Sequence, residues 1–223
     1  MSRRWRRQWT NSFRFSYRRD TISGPEQTLE LGVIINPIMV PLGYMAKHVA
    51  IRPEWLRAAG IDEILSVSSC VSKDFADWIT YWRHNGYWLF DNPSVIQALA
   101  LEHSLNISDC RWFYYEAHGL AYDENTGGWV SISAEATLPT SVQPPPEAIL
   151  RGFDVVTYTF GNMAECSPLS CNYMAKEVVT NRCCLLDSFE VAHRLIDQRR
   201  FIDCEPGPYR IVAVYEVSAP TDQ

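Results

Sequence analysis

Common nucleotide and hydrolase signatures are missing from this chain. There is no G-x-G-x-x-G, no G-x-x-x-x-G-K-[ST], no H-E-x-x-H and no G-x-S-x-G, which removes the glycine-loop phosphate cradles, the zincin helix and the nucleophile elbow. No apolar run is long enough to span a bilayer. The longest uncharged stretch, Leu31 to Ala46, is sixteen residues and is interrupted by Pro37 and Pro41, against the roughly 20 residues a crossing helix needs. The seven cysteines do not make an even set, so a disulfide framework is not expected and reduced thiols in a cytoplasmic setting are. No low-complexity segment and no internal repeat is legible beyond a cluster of prolines. Acidic residues are absent from positions 1–19, which carry seven arginines, including Arg3, Arg4, Arg6 and Arg7.

What is present is an ordinary globular composition, 47% hydrophobic and 21% charged in 223 residues. That suits one large domain or two small ones. The net charge of -6 averages a basic arm with a body carrying 13 basic and 26 acidic residues from Asp20 onward. In the arm, Trp5, Trp9, Phe13 and Tyr17 recur every four residues, the spacing of one helix face. Gly24-Pro25 ends it.

Helices are expected where apolar residues recur at i, i+3 and i+4. Pro53 opens a short one towards Gly60. Ser72 and Asp74 precede Phe75, Trp78, Ile79 and Trp82, predicting a helix over 73–84 that Asn85-Gly86 stops. Asn92-Pro93 opens another over 93–104, with Val95, Ile96, Leu99 and Ala100 inside. Ser188 or Asp187 caps a third over 188–198. Strands are expected at Leu31–Ile35, Leu42–Ile51, Ile61–Val67, Tyr87–Phe90, Phe153–Phe160, Glu177–Val179 and Tyr209–Val217. The Gly-rich connector Asp123–Gly128 between Arg111–Tyr122 and Trp129–Ser133 predicts a β-hairpin. The fold class so read is α+β: an antiparallel or mixed sheet with three or four helices packed on it, preceded by a basic arm. The domain plan is an arm over 1–24, a main region over 25–137, a proline-rich linker or loop over 138–148, and a smaller region over 149–223. All eight tryptophans lie before the linker.

The most unusual local sequence is Glu165-Cys166-Ser167-Pro168-Leu169-Ser170-Cys171-Asn172, polar, small and expected on a loop, where function tends to be placed. Read as an active site, it makes Cys166 or Cys171 the nucleophile, with Asn172 or Ser170 orienting a substrate and, for Cys171, His193 or His84 as the base that favours a thiolate. Glu165 beside Cys166 acts against ionisation there. Read as structure alone, the cysteines are small apolar filler. The C-x4-C spacing, the adjacent Cys183-Cys184 and the distant Cys204 do not make the two close pairs of a structural zinc site, so no metal and no cofactor is expected. His84, beside Trp88 at the end of the 73–84 helix, reads as a polar residue that gains from the helix dipole.

Three functions follow. The first is a small cytoplasmic protein-interaction module, inhibitor-like or neutraliser-like, binding another protein through its acidic, aromatic-rich body, with Glu165, Cys166, Ser170, Trp88 and the arm arginines as contact residues. The second is a thiol-dependent enzyme centred on 165–172. The third is RNA binding through the arm, where arginines neutralise phosphates and aromatics stack on bases, a reading the acidic body opposes. No membrane association is expected, and no oligomeric state is implied.

Overall fold

A computed structural model of the chain describes residues 37–51, 54–56, 58–71, 84–131, 141–158 and 163–220. The arm, the expected strand at 31–35 and the expected helix over 73–84 lie outside or almost wholly outside them. Long β-branched and aromatic runs make the sheet. Its strands are β1 (Met39–Lys47), β4 (Arg111–His118), β5 (Leu120–Asp123), β6 (Gly128–Ser131), β7 (Ile149–Thr157) and β8 (Tyr209–Val217), all antiparallel. A small separate ladder pairs β2 (Ala50–Ile51) with β3 (Glu63–Ile64). Two α-helices are present, α1 (Pro93–Glu102) and α2 (Phe189–Asp197). Asn92 caps α1 by accepting from the Val95 amide, and Ser188 caps α2 by accepting from the Val191 amide, each satisfying an amide that the first turn leaves unpaired.

The strand order β1-β4-β8-β7 is palindromic. Tyr115 lies opposite Val214 at the centre, Gly43 opposite Tyr115 on one side, and Gly152 opposite Val214 on the other. Both glycines sit just past a bulge, at φ 137° and 142°. A Cβ on Gly43 would meet the Phe90 carbonyl at 2.7 Å, and one on Gly152 the Leu186 carbonyl at 2.7 Å. The close approach is made by two loops built alike. The Asn85 Nδ2 donates to the Leu42 carbonyl (2.8 Å) while its Oδ1 accepts from Tyr87 (2.9 Å) and Leu89 (3.3 Å). The Asn181 Nδ2 donates to the Arg151 carbonyl (2.9 Å) while its Oδ1 accepts from Cys183 (2.9 Å) and Leu185 (3.2 Å). Three residues beyond each asparagine, Trp88 and Cys184 adopt φ 62° and 60°. Each loop then bridges to its strand, Phe90 to Tyr44 and Leu186 to Phe153, and runs into a capped helix and a strand.

The chain is therefore a duplicated strand–loop–helix–strand unit folded about an approximate dyad through Tyr115 and Val214. This corrects the reading that no repeat exists: the two halves share Asn, Leu and Asp at 85/181, 89/185 and 91/187, too little identity to see without the hydrogen bonds. Asn36–Gln223 clusters as one compact unit. Two hydrophobic cores fill it, one including Tyr115, Val214 and the α1 residues Ile96 and Leu99, the other Val155, Ile211 and the α2 residues Phe189 and Ile196.

The expected α+β class with three or four helices is overturned. The protein is mostly sheet, with two α-helices among the described residues. The reason is local. Glu54–Leu56 forms a turn, and Tyr87–Leu89 and Glu177–Val179 form loops rather than strands, because the Asn85 side chain takes the Tyr87 and Leu89 amides and a 3-10 turn takes those of Glu177 and Val178. The β-hairpin is β5–β6, and Gly119 separates it from β4, which ends at His118. Residues 141–143 of the proline-rich segment dock on the body: Tyr44 donates to the Gln143 carbonyl (2.6 Å) and the Ser141 amide to Asp91 (3.0 Å). Among the described residues no helix is long and apolar enough to cross a membrane.

Candidate functional site: a thiol centre

The loop after β3 and the loop after β7 meet beside the sheet, one from each half. Their meeting is organised by Asp154, a fully buried residue on β7. Its carboxylate accepts from the Ser66 hydroxyl (2.6 Å), the Val67 amide (3.2 Å) and the Ser167 hydroxyl (2.6 Å). Burial nevertheless dominates these donors and raises the carboxyl to about 6. Lys47, also buried, donates to the Ser66 carbonyl and lies over the Phe113 ring at 5.0 Å. The two loops then run side by side. The Ser69 amide donates to the Ala164 carbonyl (3.0 Å), and the Cys70 amide to the Glu165 carbonyl (3.4 Å). A tight turn in which the Cys171 amide donates to the Ser167 carbonyl (2.7 Å) brings Cys171 back beside Cys166.

The result is a cluster of three thiols. The sulfurs of Cys70, Cys166 and Cys171 all lie within 4.8 Å of one another, with Cys166 buried, Cys171 half-buried and Cys70 exposed. The Ser68 and Ser170 hydroxyls stand 3.7 and 3.8 Å from the Cys171 sulfur. Contacts from the Cys166 and Cys70 thiols, helped by Ser68, hold the Cys171 thiol well below its ordinary range, outweighing its burial. The Cys166 thiol is pushed up by the same neighbours, chiefly Cys171. The three therefore share one negative charge readily and further charges reluctantly. Elsewhere burial pushes Cys183 up to about 11, Cys184 to about 12 and Cys204 to about 11, so those thiols are neutral at physiological pH.

The sequence candidates divide sharply. Cys166, Ser170, Cys171 and Asn172 share this loop, and the Asn172 Oδ1 lies 4.0 Å from the Cys166 sulfur. Glu165 contributes through its carbonyl, which accepts from the Ser68 hydroxyl (2.5 Å); it is neighbouring thiols and burial, rather than its carboxylate, that raise Cys166. The proposed bases stand in contacts of their own. His193 stacks on Trp129 at 4.3 Å and pairs with Asp197 at 2.8 Å. His84 stacks on Trp88 at 4.2 Å and its Nδ1 lies 3.0 Å from the Asn85 carbonyl. Trp88 thus belongs to the asparagine loop of the first half, not to the 165–172 loop. Arg3, Arg4, Arg6 and Arg7 lie outside the described residues.

Sequence reasoning missed Cys70 as a partner, along with Ser68 and Asp154. One signal was available: the dipeptide Ser-Cys occurs at 69–70 and again at 170–171, each between the bulge glycine and the loop asparagine of its half. A second unusual group is Arg210, only 2% exposed, lying over the Tyr158 ring at 5.1 Å and donating to the His118 carbonyl at 3.4 Å. Its Nε and Nη1 have no hydrogen-bond partner among the described residues. An open groove of about 930 Å³ runs along α1 past Ser94, Gln97, Leu101 and Pro220, and none of the described residues lining it is titratable.

Comparison with known proteins finds no matching family model, no matching curated protein and no matching solved structure. The thiol centre therefore stands on its geometry alone.

Proposed function

We propose that this chain is a cytoplasmic protein-interaction module that binds a basic partner protein through the surface beside the thiol centre. The observation that carries the reading is an exposed aromatic pair. Trp55 and Tyr173 meet edge-on at 6.0 Å, each 44% exposed, and Tyr173 lies two residues beyond Cys171. Half-exposed Trp and Tyr, held against each other on a surface, are the residue types that anchor protein interfaces. The excess of acidic over basic residues from Asp20 onward supports a basic partner and opposes a nucleic-acid backbone. Seven free cysteines support a reducing compartment.

The thiol-dependent enzyme gains a thiol whose neighbours lower its pKa, but the two candidate histidines stand in other contacts, His84 on Trp88 and His193 on Trp129 and Asp197. RNA binding rests on residues 1–24, outside the described structure. The test places a photo-cross-linking phenylalanine analogue at Tyr173 in the cells that make the protein. A single discrete protein adduct is expected, weakened by Trp55→Ala and by added salt. An adduct no stronger than one from the same analogue at Leu101, an exposed residue of α1, overturns the proposal.

A further inference from the structure

Three thiols in mutual contact, drawn from two different loops, are a costly arrangement unless something uses it. Each further ionisation repels the last. A divalent, thiophilic cation removes that cost, because thiolates are its preferred ligands and its charge offsets theirs. We propose that Cys70, Cys166 and Cys171 bind one Zn²⁺ ion, with a water or a partner's side chain as the fourth ligand.

The geometry supports this directly. Tetrahedral Zn–S bonds of about 2.3 Å put sulfurs about 3.8 Å apart, and the three Sγ atoms already lie within 4.8 Å of one another. Closing the remainder takes small side-chain rotations. The backbone that carries the ligands is held in place. The Cys166 amide donates to the Thr157 hydroxyl (3.2 Å), the Thr157 amide to the Cys166 carbonyl (2.8 Å), and Ser167 is anchored on Asp154. The Ser68 and Ser170 hydroxyls, 3.7 and 3.8 Å from the Cys171 sulfur, can donate to a metal-bound thiolate, as outer groups around thiolate sites do. Cys70 is exposed, so the fourth position opens to solvent. On binding, the protons still held by the three thiols are released to solvent and each thiolate donates an electron pair to zinc; no electron transfer is involved.

The ion would tie Cys70 of the first half to Cys166 and Cys171 of the second, so it has a structural consequence apart from partner binding. It goes beyond the interaction reading, and the cross-link at Tyr173 can succeed or fail without it. The experiment uses the full chain purified under reducing conditions. Elemental analysis is expected to find one zinc per chain, Co²⁺ exchange to give an intense thiolate-to-cobalt charge-transfer band, and a chelator to lower the melting temperature. Cys70→Ser, at an exposed position that leaves folding intact, should weaken zinc affinity at least tenfold, and Cys204→Ser should leave it unchanged. Metal-free protein that gives no cobalt band overturns the proposal. So does zinc retained equally by Cys70→Ser, which would mark an adventitious ion, or a disulfide within the trio after reduction.

Discussion

The twin asparagine loops make a quantitative claim about stability. In Asn181→Ala, the Arg151 carbonyl and the Cys183 and Leu185 amides each lose their partner. In Asn85→Ala, the Leu42 carbonyl and the Tyr87 and Leu89 amides do, and the Asp91 carboxylate loses a donor as well. These groups lie on buried or half-buried residues. An orphaned polar group there costs at least about 1 kcal/mol, so each variant should lose about 3 kcal/mol. Equilibrium urea unfolding, followed by tryptophan fluorescence, measures it. With an m-value of about 3 kcal/mol per molar the midpoint should fall by about 1 M. Asn181→Asp sharpens the test. It keeps the Oδ1 acceptor for both amides but replaces the donor to the Arg151 carbonyl with a carboxylate oxygen, so it should fall between wild type and Asn181→Ala. Asn85→Ala should lose at least as much as Asn181→Ala, because it also removes the donor to the partly exposed Asp91 carboxylate. A loss below about 0.5 kcal/mol in either, the range of an ordinary surface substitution, would refute both the hydrogen-bond account and the equivalence of the halves.

Gly152→Ala combines a positive φ with a Cβ 2.7 Å from the Leu186 carbonyl and should cost about 3 kcal/mol in the same assay; a neutral result would mean the bulge shifts freely. Asp154 sets a pH dependence. Its carboxyl is raised in the fold to about 6 from the ordinary 3.8, so between those values the folded state holds a proton the unfolded chain has lost. Its contribution therefore makes stability rise as pH falls from about 7 to about 4, by up to about 3 kcal/mol. Asp154→Asn should remove that slope. His118, whose burial lowers its pKa, contributes the opposite slope in both proteins and cancels in the comparison; identical pH profiles would show that Asp154 is not the titrating group. In chelator-treated native protein, an alkylating reagent at neutral pH should modify Cys70 or Cys171 well before Cys183, Cys184 and Cys204, whose thiols burial keeps protonated. Mass spectrometry of tryptic peptides reads the order, and labelling of Cys184 first would contradict it.

Legibility followed the range of the forces involved. The caps of α1 and α2 were visible because Asn92 and Ser188 act on amides three residues away. The start of β8 was visible because a run rich in β-branched and aromatic residues follows Pro206-Gly207-Pro208 directly. The asparagine loops were not legible for the opposite reason. Asn85-Gly86 has the chemistry of a helix cap, but its side chain reaches the Leu42 carbonyl, 43 residues away. Likewise Glu177–Val179 has strand-forming valines, yet the Glu177 and Val178 amides turn back to the Met174 carbonyl. The 165–172 loop stood out by composition alone. The identity of its partners did not, because Cys70 lies about a hundred residues upstream.

By itself the sequence determined the acidic body, the caps of α1 and α2 and the unusual composition of the 165–172 loop, since each depends on composition or on contacts within one turn of chain. Only the tertiary structure decided that the chain is doubled, that sheet rather than helix dominates, and that three cysteines meet. Those follow from strand register and from loops docking across the sheet. Residues such as Gly43 and Gly152, or Cys70 and Cys171, become equivalent or adjacent only after β4 and β8 have paired about Tyr115 and Val214.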